Sequence, residues 1–147
     1  MHNMRRDPLP DAARNEVMAV IQIAICDDEE KSVALHERIV KECLQAEGIG
    51  YAITTYTQSR NLLYDITDDG FFYDLILLDI EMPGLDGIEV GKRFRRKNGR
   101  CKIVMETCRE DRVLDAFHLE ACRFLLKPLK RQDVWEALNV FAKSLAG

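Results

Sequence analysis

The chain predicts an α/β fold: a doubly wound, five-stranded parallel sheet with helices on both faces. Three observations carry this reading. Short apolar runs rich in Ile, Val and Leu alternate five times with amphipathic stretches of helical period. The runs are apolar at successive positions, as expected of strands covered on both faces. The 147 residues, 47% hydrophobic and 31% charged, suit one globular core and leave no room for a second domain of ordinary size.

Taken in order, residues 1–19 hold two prolines and no sustained apolar period. They are expected to form a poorly ordered N-terminal extension, with the domain occupying 20–147. Residues 21–26, IQIAIC, form the first strand and run into Asp27, Asp28, Glu29 and Glu30. The next stretch places Leu35, Ile39, Cys43 and Ala46 on one helical stripe, widened by Val33, Val40 and Leu44, with Gly48 ending the helix in a left-handed conformation. Residues 51–56, YAITTY, make the second strand. Ser59 caps a helix whose inner face is Leu62, Leu63 and Ile66, before Asp68, Asp69 and Gly70. Residues 73–78, YDLILL, are the most continuous apolar strand and stop at Asp79. After the loop EMPGLDG, a third helix turns Ile88, Gly91 and Phe94 inward. Strand four is 102–107, helix four carries Val113, Leu114, Ala116 and Phe117, and strand five is 123–126. The last helix starts after Pro128 and buries Val134, Leu138, Phe141 and Leu145.

Composition narrows the function classes. A net charge of -4 argues against a broad nucleic-acid footprint, so any DNA contact has to come from elsewhere. No apolar run approaches the roughly 18 residues of a membrane span, and the start lacks a signal-peptide core; a cytoplasmic protein is expected. The five cysteines, Cys26, Cys43, Cys101, Cys108 and Cys122, are odd in number and show no C-x-x-C spacing, which suggests reduced thiols filling apolar space.

In parallel sheets, chemistry gathers at the carboxyl ends of the strands. Here those ends carry Asp27 and Asp28, Asp79, Thr107 and Lys127, and right-handed crossovers bring them side by side. Two carboxylates about 4 Å apart repel by roughly 4 kcal/mol at an effective dielectric near 20, so three together call for a cation or raised pKa values. Mg²⁺ suits the set, with Asp28 and Asp79 as ligands and Asp27 acting partly through water. The Asp79 carboxylate is then a nucleophile towards a phosphoryl group, while Lys127 and Thr107 hold phosphoryl oxygens.

Over about residues 21–145, the segments AICDDE, DLILLDIEMPGLDGIE and FLLKPL together resemble the receiver domain of two-component response regulators, which has a flavodoxin-like (βα)5 fold. The resemblance implies phosphorylation of Asp79 by a sensor histidine kinase, with slow autodephosphorylation in place of enzymatic turnover. It implies Thr107 as the switch hydroxyl, Phe124 as the switch aromatic, the Glu81 backbone carbonyl as a further metal ligand, and a cis peptide between Lys127 and Pro128. DAFHLEACRFLLKPL is most similar to receivers that precede a LytTR-type DNA-binding domain, so DNA is expected to be reached only through an output domain outside this chain. The surface of helix four, strand five and helix five, with Asp111, Arg112, Arg123 and Arg131, is expected as a homodimer face.

The chain also departs from that pattern. Receivers usually have an apolar residue before the switch threonine, where this sequence has Glu106. A buried carboxylate there has to be hydrated, protonated or paired with a base such as Arg123 or Lys102. Glu81 and Arg109, two residues beyond Asp79 and Thr107, are expected to tune the rate at which water reaches an acyl phosphate. Cys108 reads as a small side chain beside the phosphate. His2, His36 and His118 lie off the strand ends, with His36 and His118 read as helix-surface residues, so a phosphohistidine donor has to be another protein. Three alternatives compete. An aspartyl-phosphate hydrolase of haloacid dehalogenase type wants D-x-D where Asp79-Ile80-Glu81 stands. A flavodoxin-like nucleotide binder wants a Gly-, Ser- or Thr-rich loop where CDDEE stands. A phosphate-independent interaction module has no need of the complete residue set.

Overall fold

The computed structural model describes residues 5–6, 20–68, 70, 72–84, 87–97, 101–115 and 123–146, without the side chains of 5–6, 115 and 140–146. Its strands are β1 (Arg5–Arg6), β2 (Val20–Cys26), β3 (Gly50–Tyr56), β4 (Leu75–Asp79), β5 (Lys102–Thr107) and β6 (Arg123–Leu126). Its helices are α1 (Glu30–Ala46), α2 (Ser59–Thr67), α3 (Gly87–Lys97), α4 (Arg112–Asp115) and α5 (Arg131–Ala146). The sheet order is β1-β3-β2-β4-β5-β6. The five expected strands, β2 to β6, are mutually parallel. An unforeseen two-residue strand, β1, pairs antiparallel with β3 through Arg5–Thr55 and Arg6–Thr54, inside the segment read as an extension.

Alternation of side chains along the strands sorts the core into two layers. Ala24, Cys26, Ile76, Leu78, Ile103 and Met105 face α2 and α3. Ile23, Ile25, Leu75, Leu77, Val104 and Leu125 face α1 and α5. Extending the same period by one step puts Asp27, Asp79 and Glu106 on the α1 and α5 side. On the opposite side, a buried polar group ties α2 to the sheet: the Tyr56 hydroxyl donates to Asp65 Oδ2 at 2.5 Å and lies 2.6 Å from the Tyr73 hydroxyl.

Several local expectations shift. The buried face of α1 is Val33, His36, Glu37, Ile39, Val40, Cys43 and Leu44. Leu35 is 40% exposed and Ala46 is also exposed, because they sit about 120° round the helix from the centre of that face. His36 is therefore a core residue and not a surface one. Ser59 is the first helical residue of α2, following Gln58 at the cap position, and no side chain caps this end. β4 starts at Leu75; Tyr73 and Asp74 precede it, and the Asp74 carboxylate accepts from the Gln22 amide at 2.8 Å. Leu114 is 77% exposed. Gly48 does end α1 with positive φ. Asp69, Leu85, Asp86, Ala116, Phe117, His118 and Cys122 lie outside the described residues, as do the side chains of Phe141 and Leu145 and, apart from Arg5–Arg6, residues 1–19.

Gly87 opens α3 directly behind the end of β4, its amide donating to Ile80 O at 2.8 Å. A Cβ there meets the Asp79 carbonyl oxygen at 2.3 Å and Ile80 Cα at 2.7 Å, both backbone atoms that no rotamer change can move away. Gly87→Ala is expected to destabilise the fold by about 1–3 kcal/mol, as overpacking does. Equilibrium urea unfolding measures this; a change within ~0.5 kcal/mol means that the loop shifts freely.

Candidate functional site

The site residues stand at the carboxyl ends of the strands or within two residues beyond them. β2 delivers Asp27 and Asp28, β4 ends in Asp79, β5 ends in Thr107, and Lys127 follows β6. The Lys127 amide donates to Thr107 O at 2.8 Å, continuing the ladder one residue beyond β6, and the Lys127–Pro128 peptide is cis as expected. From there the ammonium reaches across β4 and lies 3.1 Å from Asp27 Oδ2 and 3.0 Å from Asp79 Oδ2. The other oxygens are taken by backbone: the Glu29 amide donates to Asp27 Oδ1 at 3.0 Å and the Glu81 amide to Asp79 Oδ1 at 3.1 Å.

Asp27, Asp28 and Asp79 each bring a carboxylate oxygen to within 4.8 Å of the others, with Asp28 exposed and the other two buried. Burial pushes the Asp79 carboxyl up to about 6, against the hydrogen bond from Lys127 and with help from the Asp27 charge. Asp28 is raised by loss of hydration and then by Asp27. Burial alone opposes the charge on Lys127, but the hydrogen bonds to Asp79 and Asp27 hold its pKa above the usual lysine range. One ammonium faces three acids, and the oxygen-only ligand set and remaining negative charge fit a hard divalent cation.

On the far side of Asp79, one carboxylate oxygen gathers three donors. Glu81 Oε1 accepts from the Thr107 hydroxyl at 2.6 Å, from the Cys108 amide at 3.0 Å and from the Cys108 thiol at 3.2 Å. Burial works against the charge on Glu81, yet the bonds from Thr107 and Cys108 bring its pKa below the usual carboxylate range. Cys108 thus does more than fill space. Arg109 turns away, its guanidinium on Asp111 at 3.2 and 2.6 Å, while its amide donates to the Thr107 hydroxyl oxygen at 3.0 Å. Phe124 is half-buried against the α2 and α3 layer.

Glu106 is fully buried, and its partner is neither Arg123 nor Lys102. Both stand at exposed strand starts, whereas Glu106 lies near the carboxyl end of β5. The neighbour is His36 of α1, with Nδ1 3.3 Å from Glu106 Oε1 and both side chains almost wholly enclosed. Burial raises the Glu106 carboxyl to about 8 against the pull of Lys127, with Asp27, Asp79 and Glu81 adding to the rise. Burial also lowers the imidazole pKa, opposed by Asp27 and reinforced by Lys127. Near neutrality the pair therefore favours a protonated carboxyl beside a neutral imidazole. His36 was legible in principle: counting three and seven residues on from Val33 reaches His36 and Val40 on one face.

A family description, "Response regulator receiver domain", matches residues 23–139. The positive alginate biosynthesis regulatory protein of Pseudomonas aeruginosa is 30% identical over 119 residues, covering 81% of this chain and 46% of that protein. The sensory transduction protein LytT of Oceanobacillus iheyensis is 36% identical over 75 residues, half of this chain and 30% of that protein. The chain thus spans less than half the length of these curated relatives. A response regulator receiver domain protein (CheY-like) from Methanospirillum hungatei superposes with a TM-score of 0.72 at 21% identity, covering 88% of this chain and 100% of that one.

The raised acids make stability depend on pH in a defined direction. An acid whose pKa is higher when folded stabilises the fold below its unfolded value, near 4.3 for Glu, and loses that contribution as pH rises through the folded value. For Glu106 at about 8, on the order of 1 kcal/mol is lost between about pH 7 and 9, a window above the transitions of Asp79 and His36. In EDTA, Glu106→Val is expected to show a smaller fall in Tm than wild type across that window. Parallel Tm curves for the two proteins mean that Glu106 is already ionised at pH 7.

Proposed function

Because this chain belongs to the response regulator receiver domain family, we propose that Asp79 is its phosphoacceptor, charged by a sensor histidine kinase. The observation that carries this reading is the Lys127 ammonium bridging Asp27 and Asp79, with the Thr107 hydroxyl held by Glu81, two residues beyond Asp79. An Asp79 oxygen attacks the phosphorus of a phosphohistidine, the P–N bond breaks, and the imidazole leaves with the donor protein. Lys127 then pairs with a phosphoryl oxygen, and the donors around Thr107 receive another. Asp27, Asp28, Asp79 and the Glu81 carbonyl are the residues that hold Mg²⁺, which when bound offsets charge on the transferred group.

Glu81 Oε1 occupies the hydroxyl and amide donors that a phosphoryl oxygen needs. In this reading, phosphorylation displaces that carboxylate, Thr107 follows the phosphoryl group, and Phe124 turns towards the space left, shifting the α4-β6-α5 surface as a population shift. Leu114 and Leu126, 77% and 44% exposed, are apolar side chains on that surface and suit a homodimer face. Its expected charges are partly engaged already, with Arg131 paired to Glu42 and Asp111 to Arg109. The likeness to LytT and to other regulators suggests that a DNA-binding output acts downstream. Free Cys26, Cys43, Cys101 and Cys108 suit a cytoplasmic, reducing setting. Turnover is slow autodephosphorylation and not enzymatic catalysis. A haloacid-dehalogenase-type hydrolase is disfavoured because Glu81, at the position of its acid/base Asp, is bound by Thr107 and Cys108.

Acetyl phosphate with Mg²⁺ is expected to add one phosphoryl mass, lost with EDTA and in Asp79→Asn; an adduct that persists in Asp79→Asn places the chemistry elsewhere. On size exclusion the phosphorylated protein is expected to elute as a dimer, and unchanged monomer elution removes the dimer from this reading. Glu81→Ala frees the donors of one charged acceptor and is expected to speed adduct formation about tenfold, in line with a hydrogen bond to a charged group worth about 1.5–3 kcal/mol. Arg109→Ala is expected to change it little. Equal rates for wild type and Glu81→Ala exclude Glu81 as a competitor for the phosphoryl site.

A further inference from the structure

Beneath the acidic mouth lies a second convergence of ligand atoms that the phosphoacceptor reading does not use. Asp27, His36 and Glu106 each bring one ligand atom to within 4.8 Å of the others, and all three residues are buried. Their relative exposures are 0%, 3% and 0%. Among the described residues, His36 Nδ1 and both Glu106 carboxylate oxygens have no hydrogen-bond partner, although Nδ1 and Oε1 are 3.3 Å apart. Two ligands bound at about 2.0–2.1 Å in a tetrahedral site stand about 3.3–3.4 Å apart, so the observed spacing equals one edge of such a tetrahedron.

We propose that Asp27, His36 and Glu106 form an inner cation site for a nitrogen-accepting transition ion of the Zn²⁺ or Co²⁺ class, distinct from the outer carboxylate site. Ligand chemistry separates the two. The outer set offers oxygen alone and suits Mg²⁺; an imidazole with two carboxylates mixes nitrogen and oxygen donors, both of which Zn²⁺ accepts, and three protein ligands leave a fourth position for water. Charge also fits, since a dication offsets the two carboxylates with the imidazole neutral. A buried carboxylate without such compensation has to hold a proton, the state towards which burial already drives Glu106. Asp27 is the shared wall: its oxygens contact the Glu29 amide and Lys127, leaving lone pairs for a further ligand bond. Because Lys127 also holds Asp79, occupation of the inner site reaches the phosphoacceptor through one ammonium.

Co²⁺ titration of the whole chain in excess Mg²⁺ tests this, read by visible absorption and equilibrium dialysis. One equivalent with the intense bands of a tetrahedral ion is expected, retained in Asp28→Asn. Glu106→Val is expected to weaken it by more than the 10–100-fold that outer-shell changes cost. So is the double variant His36→Leu with Glu106→Val, which restores an apolar core and whose folding is checked by Tm. Uptake that Mg²⁺ displaces, or that Asp28→Asn abolishes, assigns the ion to the outer carboxylates and overturns the proposal. Uptake unaffected by Glu106→Val, or no uptake, overturns it as well, the latter leaving His36 and Glu106 as a pair sharing a proton.

Discussion

Negative charge crowded at one end of a sheet, and bridged by a single ammonium, is the constraint on which the other features depend. Lys127 sits between Asp27 and Asp79 at about 3 Å from each. At an effective dielectric near 20, each such contact is worth roughly what one carboxylate pair costs, so one lysine cannot balance three acids. Burial and, after it, the Asp27 charge raise the Asp79 and Asp28 carboxyls. This end of the sheet is thus held short of neutrality, and added positive charge or a proton relieves it.

The two core layers explain how so many acids come to one place without disrupting the fold. Asp27, Asp79 and Glu106 continue the α1 and α5 face of β2, β4 and β5, whereas Thr107 continues the other. A strand end can therefore present a nucleophile on one side and a hydroxyl on the other. Glu106 lies opposite Asp79 across the β4 and β5 pairing, one residue short of the end of its own strand. Its side chain has no route to solvent and meets α1, where His36 occupies a place that an apolar residue would fill.

Much of this was legible in the chain. Apolar runs ending in acids located β2 and β4, and the sheet topology then required Asp27, Asp79, Thr107 and Lys127 to meet. What escaped was set by tertiary context. The α1 stripe was drawn through Leu35, yet packing against the sheet and α5 rotates the buried face towards His36. Tyr73 was counted into its strand because apolarity does not distinguish a strand residue from the hydroxyl-bonded residue before it. The β1 pairing involves two arginines with no apolar signal at all. Glu106 is out of pattern in the sequence, but the expected bases, Lys102 and Arg123, stand at the starts of β5 and β6, whereas the alternation of β5 points Glu106 at a helix.

Three carboxylates around this pocket meet their burial cost in three ways, and the differences bear on switching. Asp79 relies on an ammonium, Glu81 on a hydroxyl, an amide and a thiol, and Glu106 on protonation beside an imidazole. In the proposed reading, a phosphoryl group on Asp79 competes directly for the first two sets of donors and leaves the third untouched. The partners of Asp79 and Glu81 are Lys127 and Cys108, which follow strand ends, and Thr107, the last residue of β5, while His36 and Glu106 bring the interior of β5 beside the middle of a 17-residue helix, where local opening costs more. Local rules broken by a buried acid are retained where a compensating group exists, and here the group beside Glu106 is His36 of α1. In the proposed reading, the response runs through the Thr107 and Glu81 contacts at the strand ends and leaves the buried His36 and Glu106 beneath them in place.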